Sequence, residues 1–193
     1  MMPLAQRLMS HWFVLVTVSY AGLWALQINL IMPLEALALE NFTIVSVLFL
    51  PHAVRVLATW MLGPKVLFAL VPSSIACYTL LMPDATAMTM RDVGVASIGA
   101  LCAPVAFELM RIVRINVYPN EVGVVSWRTL VFAGFLSSIL NSFFQTLFHE
   151  GKFPIQDTFN ILTRFIIGDV LGLVVVLLFS LGILRVFRGY SNV

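Results

Sequence analysis

Long apolar runs recur along the chain, broken by short polar connections: Trp12–Met32, Phe42–Leu62, Lys65–Met82, Val93–Met110, Arg128–Phe148 and Thr158–Phe187. A helix needs about 20 mainly apolar residues to cross the hydrocarbon core of a bilayer. The pattern therefore predicts an all-α, polytopic integral membrane bundle of about six transmembrane helices in a single domain, residues 1–193. The third run is short for a full span, and the sixth is long enough to tilt or to emerge at its end. Pro33, Pro64, Pro83, Pro119 and Pro154 fall in the five connections, where a helix ends at little cost. Pro51, Pro72 and Pro104 fall inside helices two, three and four, where lipid-embedded helices tolerate proline as kinks facing a neighbour.

Composition removes the soluble alternative. The chain is 61% hydrophobic and 10% charged, with a mean hydropathy of +1.01. Soluble domains have about 45–50% apolar and about 25% charged residues. So few polar side chains cannot cover the surface of a 193-residue soluble fold. Arg7 followed by the run from Trp12 imitates a secretory signal. That run is too long for a signal core and lacks an A-x-A site, so a retained first helix is expected.

Charge sets the expected orientation. With an even number of helices, Arg7, Lys65, Arg111, Arg114, Arg128, Arg185 and Arg188 gather on one side, and Arg91 and Lys152 on the other. The positive-inside rule then places both termini in the cytoplasm, as expected of a protein of the bacterial inner membrane. Trp12, Trp60 and Trp127 fall at the inner helix ends, where an aromatic belt belongs. A net charge of +2 with scattered basic residues gives no footprint for nucleic acid. Membrane lipid is the first partner implied, and an oligomer is possible. The inner connection Arg111–Trp127 is the one loop with length and polarity enough to dock a cytoplasmic partner, although it also reads as a plain interfacial loop.

The informative residues are polar ones inside the runs. His52 and Arg55 follow Pro51 in helix two, and Arg164 and Asp169 lie in helix six. A charged side chain near the bilayer centre costs about 2.5–3.5 kcal/mol or more, so it faces the protein interior and usually a partner. Counting about 1.5 Å per residue from the outer ends puts Arg55 and Asp169 at similar depth. An Arg55–Asp169 ion pair is therefore expected, with Glu108 as the alternative partner of Arg55. Arg164 is shallower and can snorkel outward. Asn141 and Gln145, four residues apart on helix five, extend the polar cluster or bond between helices. Such a cluster either locks packing or lines a cavity for a ligand or proton, in which the arginine would favour an anionic group. Gly168 and Gly172 form a G-x-x-x-G pair that lets another helix approach closely. Cys77 and Cys102 read as small buried hydrophobes, neither disulfide nor metal site. No nucleophile–base pair or H-E-x-x-H spacing is present, and neither metal nor cofactor is implied. An enzyme is not expected.

Two motifs carry a resemblance. LPHAVRVLATWMLG, from Leu50 to Gly63, and GDVLG, from Gly168 to Gly172, resemble in order and separation elements of the MASE1-type membrane-associated sensor domain. That resemblance implies a sensory bundle that binds a ligand or partner and signals to an output domain. Members commonly carry a second Pro and a Gly after the first motif's Pro, where this chain has His52 and Ala53. Only Arg188–Val193 follow the last run, so a separate protein is expected to read any signal. Two other functions fit the same features: an accessory subunit of a larger membrane complex, and a small solute-binding transporter component. Against the last, the runs display no broken helix and no matched half-repeats.

Overall fold

The computed structural model describes residues 11–38, 46–81, 89–115, 117–119, 126–148 and 158–190. All regular structure among them is helical. Helix α1 (Trp12–Leu26) passes through a π-helical stretch, Gln27–Ile31, into α2 (Met32–Ala38). Then come α3 (Pro51–Leu62), a 3-10 turn at Gly63–Val66, and α4 (Leu67–Leu81). The remainder is α5 (Met90–Ile112), α6 (Trp127–Phe148) and α7 (Thr158–Tyr190). Five stretches are long and apolar enough to cross a membrane: Trp12–Ala38, Pro51–Leu81, Met90–Ile112, Trp127–Phe148 and Phe159–Arg185. The chain has the makings of an integral membrane protein. Large apolar side chains such as Val18, Leu37, Phe68 and Phe179 stand exposed on the bundle, as lipid-facing positions would.

Three expectations need correction. Pro33 lies inside the first long helix, not in a connection. The π-turn immediately before it shifts the backbone bonds by one residue, which relieves the clash of the proline ring with the preceding turn. Helix two does not run from Phe42: residues 46–50 are non-helical, and the helix begins at Pro51. Pro51 is thus an initiator at the first helical position, where its missing N–H is harmless, and not an internal kink. Helices two and three part where expected, the first ending at Leu62 and a 3-10 turn with Pro64 leading into the next. They meet at Gly63, whose φ of 66° and ψ of −161° break the helix in a region that side chains disfavour.

Contact order fixes the direction of each helix. Gln27 meets Leu50 and Tyr20 meets Arg55, so α3 runs antiparallel to α1. Trp12 meets Lys65, Thr17 meets Ser73 and Tyr20 meets Ser74, so α4 runs parallel to α1. The chain therefore reverses between α3 and α4. Gly94 and Val95 on α5 meet Phe148 and Gln145 on α6, an antiparallel pair. Gly134 on α6 meets Leu173 on α7 and Asn141, further along α6, meets Asp169, earlier on α7, which makes α6 and α7 antiparallel too.

Local chemistry sharpens the ends. Thr89 and Asp92 form a reciprocal capping box at the start of α5, and Arg91 donates from Nε to the Phe148 carbonyl at the end of α6. Two apolar clusters fill the interior. One joins Tyr20, Trp24, Ala58, Leu70 and Ala100; the other joins Val56, Phe107, Met110, Ala133 and Leu173. Helix α3 contributes to both, and its small residues Ala53 and Ala58 let the neighbouring helices approach closely.

Candidate functional site in the membrane interior

Residues 46–50 lie against α7. Phe49 N–H donates to the Gly168 carbonyl at 2.9 Å. A Cβ on Gly168 would stand 2.5 Å from the Ser46 carbonyl oxygen, and one on Gly172 would overlap the Phe49 carbonyl. Gly168 and Gly172 do mediate packing, but they receive an irregular backbone segment and not a second helix. Gly168 is ten residues from Thr158, so the strap meets α7 about 15 Å along it, roughly a third of the way and inside the stretch Phe159–Arg185. Non-helical backbone at such depth is tolerated only where protein satisfies it. Here Leu48 N–H donates to Glu35 Oε1 (2.9 Å), Leu50 N–H to Gln27 Oε1 (3.1 Å), and Gln27 Nε2 to Ser46 Oγ (2.9 Å). Gln27 and Glu35 stand on the π-helical stretch and α2, and they hold the strap in place.

The first turn of α3 carries His52 into the space between α6 and α7. His52 is fully buried, Asp169 is 1% exposed and Asn141 is 4% exposed. Asn141 Nδ2 donates to Asp169 Oδ2 at 3.1 Å. His52 Nδ1 lies 3.5 Å from the same oxygen, too far for an ordinary hydrogen bond, while Nε2 lies 3.1 Å from the Gly134 carbonyl. The carboxylate also sits beside the N-terminal end of α3, where the helix dipole favours negative charge. His52 Nδ1, Asn141 Oδ1 and the hydroxyls of Ser137 and Ser142 are buried without a hydrogen-bond partner among the described residues. Native interiors leave few such groups unpaired.

Arg55 takes a different partner from the one expected. Its Nε and Nη2 donate to Tyr20 Oη at 3.2 and 2.7 Å, and the guanidinium stacks 5.5 Å from both the Tyr20 and Phe49 ring centroids. Gly99 makes the room: a Cβ there would be 2.9 Å from Arg55 Nη2. Ser74 Oγ donates to the Ala96 carbonyl, which leaves its oxygen to accept from Tyr20. One arginine thereby ties α1, α3, α4 and α5 together. No direct Arg55–Asp169 ion pair forms among the described residues, although the two charges act on one another through the interior. Equal depth brought them to the same level. The choice of partner was decided by which face of α3 each neighbour covers: α1 and α5 meet Arg55, and α6 and α7 meet His52.

The remaining expectations divide. Glu108 does not reach Arg55; it accepts from Tyr118 Oη (2.9 Å) and Arg111 Nη1 (3.3 Å) near the end of α5. Gln145 donates to the Val95 carbonyl at 3.1 Å and serves helix packing outside the His52–Asp169 cluster. Cys77 and Cys102 are free and buried. Residues 120–125 of the inner connection, together with Arg7, His149 and Lys152, lie outside the described residues. Among those described, no three His, Cys, Asp or Glu side chains converge as a metal-binding group. Tyr20, Gln27, Glu35, Ser137 and Ser142 belong to the polar interior without having been singled out from sequence. Gln27 inside the first apolar run and Glu35 just beyond it were the available signal.

No family model matches the chain, and no curated protein or solved structure shows significant similarity to it. The resemblance to the MASE1-type domain therefore rests on its two motifs alone. In this structure those motifs are the half-helix α3 and the stretch of α7 against which its entry strap is packed.

Proposed function

We propose that the protein is a non-catalytic, sensor-like module of the bacterial inner membrane that binds a small polar ligand inside its helix bundle. The observation that carries this reading is the pair of side chains at Asp169, His52 and Asn141, each buried with one polar atom unpaired, where a helix begins within the bundle. Packing alone gains nothing from burying His52, Asn141, Ser137 and Ser142 with unmet hydrogen-bonding capacity, since each such group costs about 1–3 kcal/mol. A ligand with polar groups at matching positions removes that penalty. Because Arg55 is committed to Tyr20, ligand contacts fall to Asp169, His52 and Asn141, and an anionic group is not specially favoured. The reversal at Gly63 supports six crossings with both termini on one side, and the basic residues favour the cytoplasm.

A second reading has one specific observation behind it. Half-helices that start at mid-membrane, beside a buried strap, are a recurrent feature of solute-binding transporters. A solute-capturing component of a larger assembly is therefore kept as the alternative, and an accessory subunit without a ligand as the third.

The test is a thermal-shift screen of purified full-length protein against polar metabolites, repeated with Asn141→Ala. A stabilising compound whose effect is lost in the variant supports the module. Stabilisation by none of them, with co-migration in a heavy complex on native gels, moves the assignment to an accessory subunit.

A further inference from the structure

The hydrogen-bond inventory around Asp169 does not close. The Gly134 carbonyl can only accept, so His52 Nε2 carries the hydrogen in that 3.1 Å contact. In a neutral imidazole Nδ1 is then a bare lone pair, and it faces Asp169 Oδ2 at 3.5 Å. The Asn141 amide must present Nδ2 to the carboxylate, which leaves Oδ1 as another acceptor without a donor. Three acceptor atoms thus share one donor in a fully buried place. Two of them point at each other, which is repulsive unless something positive stands between them.

We propose that the missing group is a proton, held between His52 Nδ1 and Asp169 Oδ2, and that this pair is a proton-binding site in the membrane interior. A hydronium ion reaching the pair gives up one proton: its O–H bond breaks, the Nδ1 lone pair takes the proton, a neutral water leaves, and the resulting imidazolium donates to the carboxylate. The pair passes from a net charge of −1 to 0, and the contact shortens toward about 2.8 Å, as charge-assisted bonds do. The groups facing the pair are few. Asp169 on α7 draws the proton in, Arg55 on α3 opposes it, Cys102 on α5 and Asn141 on α6 are neutral, and Tyr20 on α1 is engaged with Arg55. The inference rests on reading the cluster as a working site and names the species that occupies it before any organic ligand does.

Nitrogen NMR of the full chain in lipid bilayers, with labelled histidine, tests this directly. Only His11, His52 and His149 contribute signals, and His52→Gln identifies the one of interest. The expected result is a His52 Nδ1 that is bare at high pH and becomes protonated as pH falls, before the protein unfolds, with Nε2 protonated throughout. In Asp169→Asn the midpoint should move to lower pH by about one unit or more, because the carboxylate no longer favours the imidazolium. Should that variant not fold, the wild type decides alone: the protonated form must show His52 Nδ1–H close in space to the Asp169 carboxyl carbon. A His52 that stays neutral at every pH where the protein is folded, or that lacks this proximity, overturns the proposal. So does a midpoint indifferent to Asp169→Asn. A metabolite that stabilises the protein while His52 stays neutral sinks the proton site and leaves the ligand-binding reading standing.

Discussion

Tyr20 and Asn141 are the residues on which the two buried charges depend. Removing only the hydroxyl with Tyr20→Phe keeps the ring over Arg55 but strips the guanidinium of its acceptor. We expect a loss of about 2–4 kcal/mol in unfolding free energy in mixed micelles, since an uncompensated buried charge is left behind. A change within experimental error would show that Arg55 finds solvent or another acceptor. For Asp169, a double-mutant cycle isolates the contact. Asn141→Ala with Asp169→Asn should couple by about 1 kcal/mol or more, whereas Gln145→Ala with Asp169→Asn should be additive, because Gln145 bonds to Val95 instead. Equal coupling for both pairs would mean that the α6 polar face acts as one unit.

At the scale of elements, the strap at residues 46–50 and the half-helix α3 are the distinctive feature. The strap sits on α7 only because Gly168 and Gly172 have no side chains. Gly172→Ala drives a methyl group into the Phe49 carbonyl and should destabilise the bundle by about 1–3 kcal/mol. Gly182→Ala, on the same helix with nothing within 4 Å of the added carbon, should be neutral or slightly stabilising. Thermal unfolding of the two variants side by side makes the comparison, and equal losses would rule out the strap contact as the cause. Glycine at position 63 serves a different purpose, since the positive φ there reverses the chain between α3 and α4.

For the whole molecule, the directions of the helices make a definite topology testable. With Cys77 and Cys102 replaced, single cysteines at Lys65, Arg91 and Arg128 report the two sides. Labelling with a membrane-impermeant thiol reagent should reach Arg91→Cys from outside intact cells, and Lys65→Cys and Arg128→Cys only after the cells are opened. Protection of Lys65→Cys on both sides, with Arg91→Cys labelled only in opened cells, would mean that Pro51–Leu81 crosses once, as a single broken helix. The short α3 and the cation–π contact of Lys65 with Trp12 at the start of α1 both favour reversal.

Membrane solvation, helical class, the extents of α5, α6 and α7, and the polar residues His52, Asp169 and Asn141 were all legible in the sequence. Each follows from a one-dimensional quantity: apolar run length, or a polar residue where lipid forbids one. What the run from Phe42 to Leu62 could not disclose was its division into strap and half-helix. Apolar composition is the same whether backbone bonds close within a helix or onto Gln27, Glu35 and Gly168. Nor could depth along a helix say that Arg55 turns to Tyr20 and His52 to Asp169. Partner choice depends on rotation about the helix axis and on which neighbour lies there, and both are set only when the helices pack.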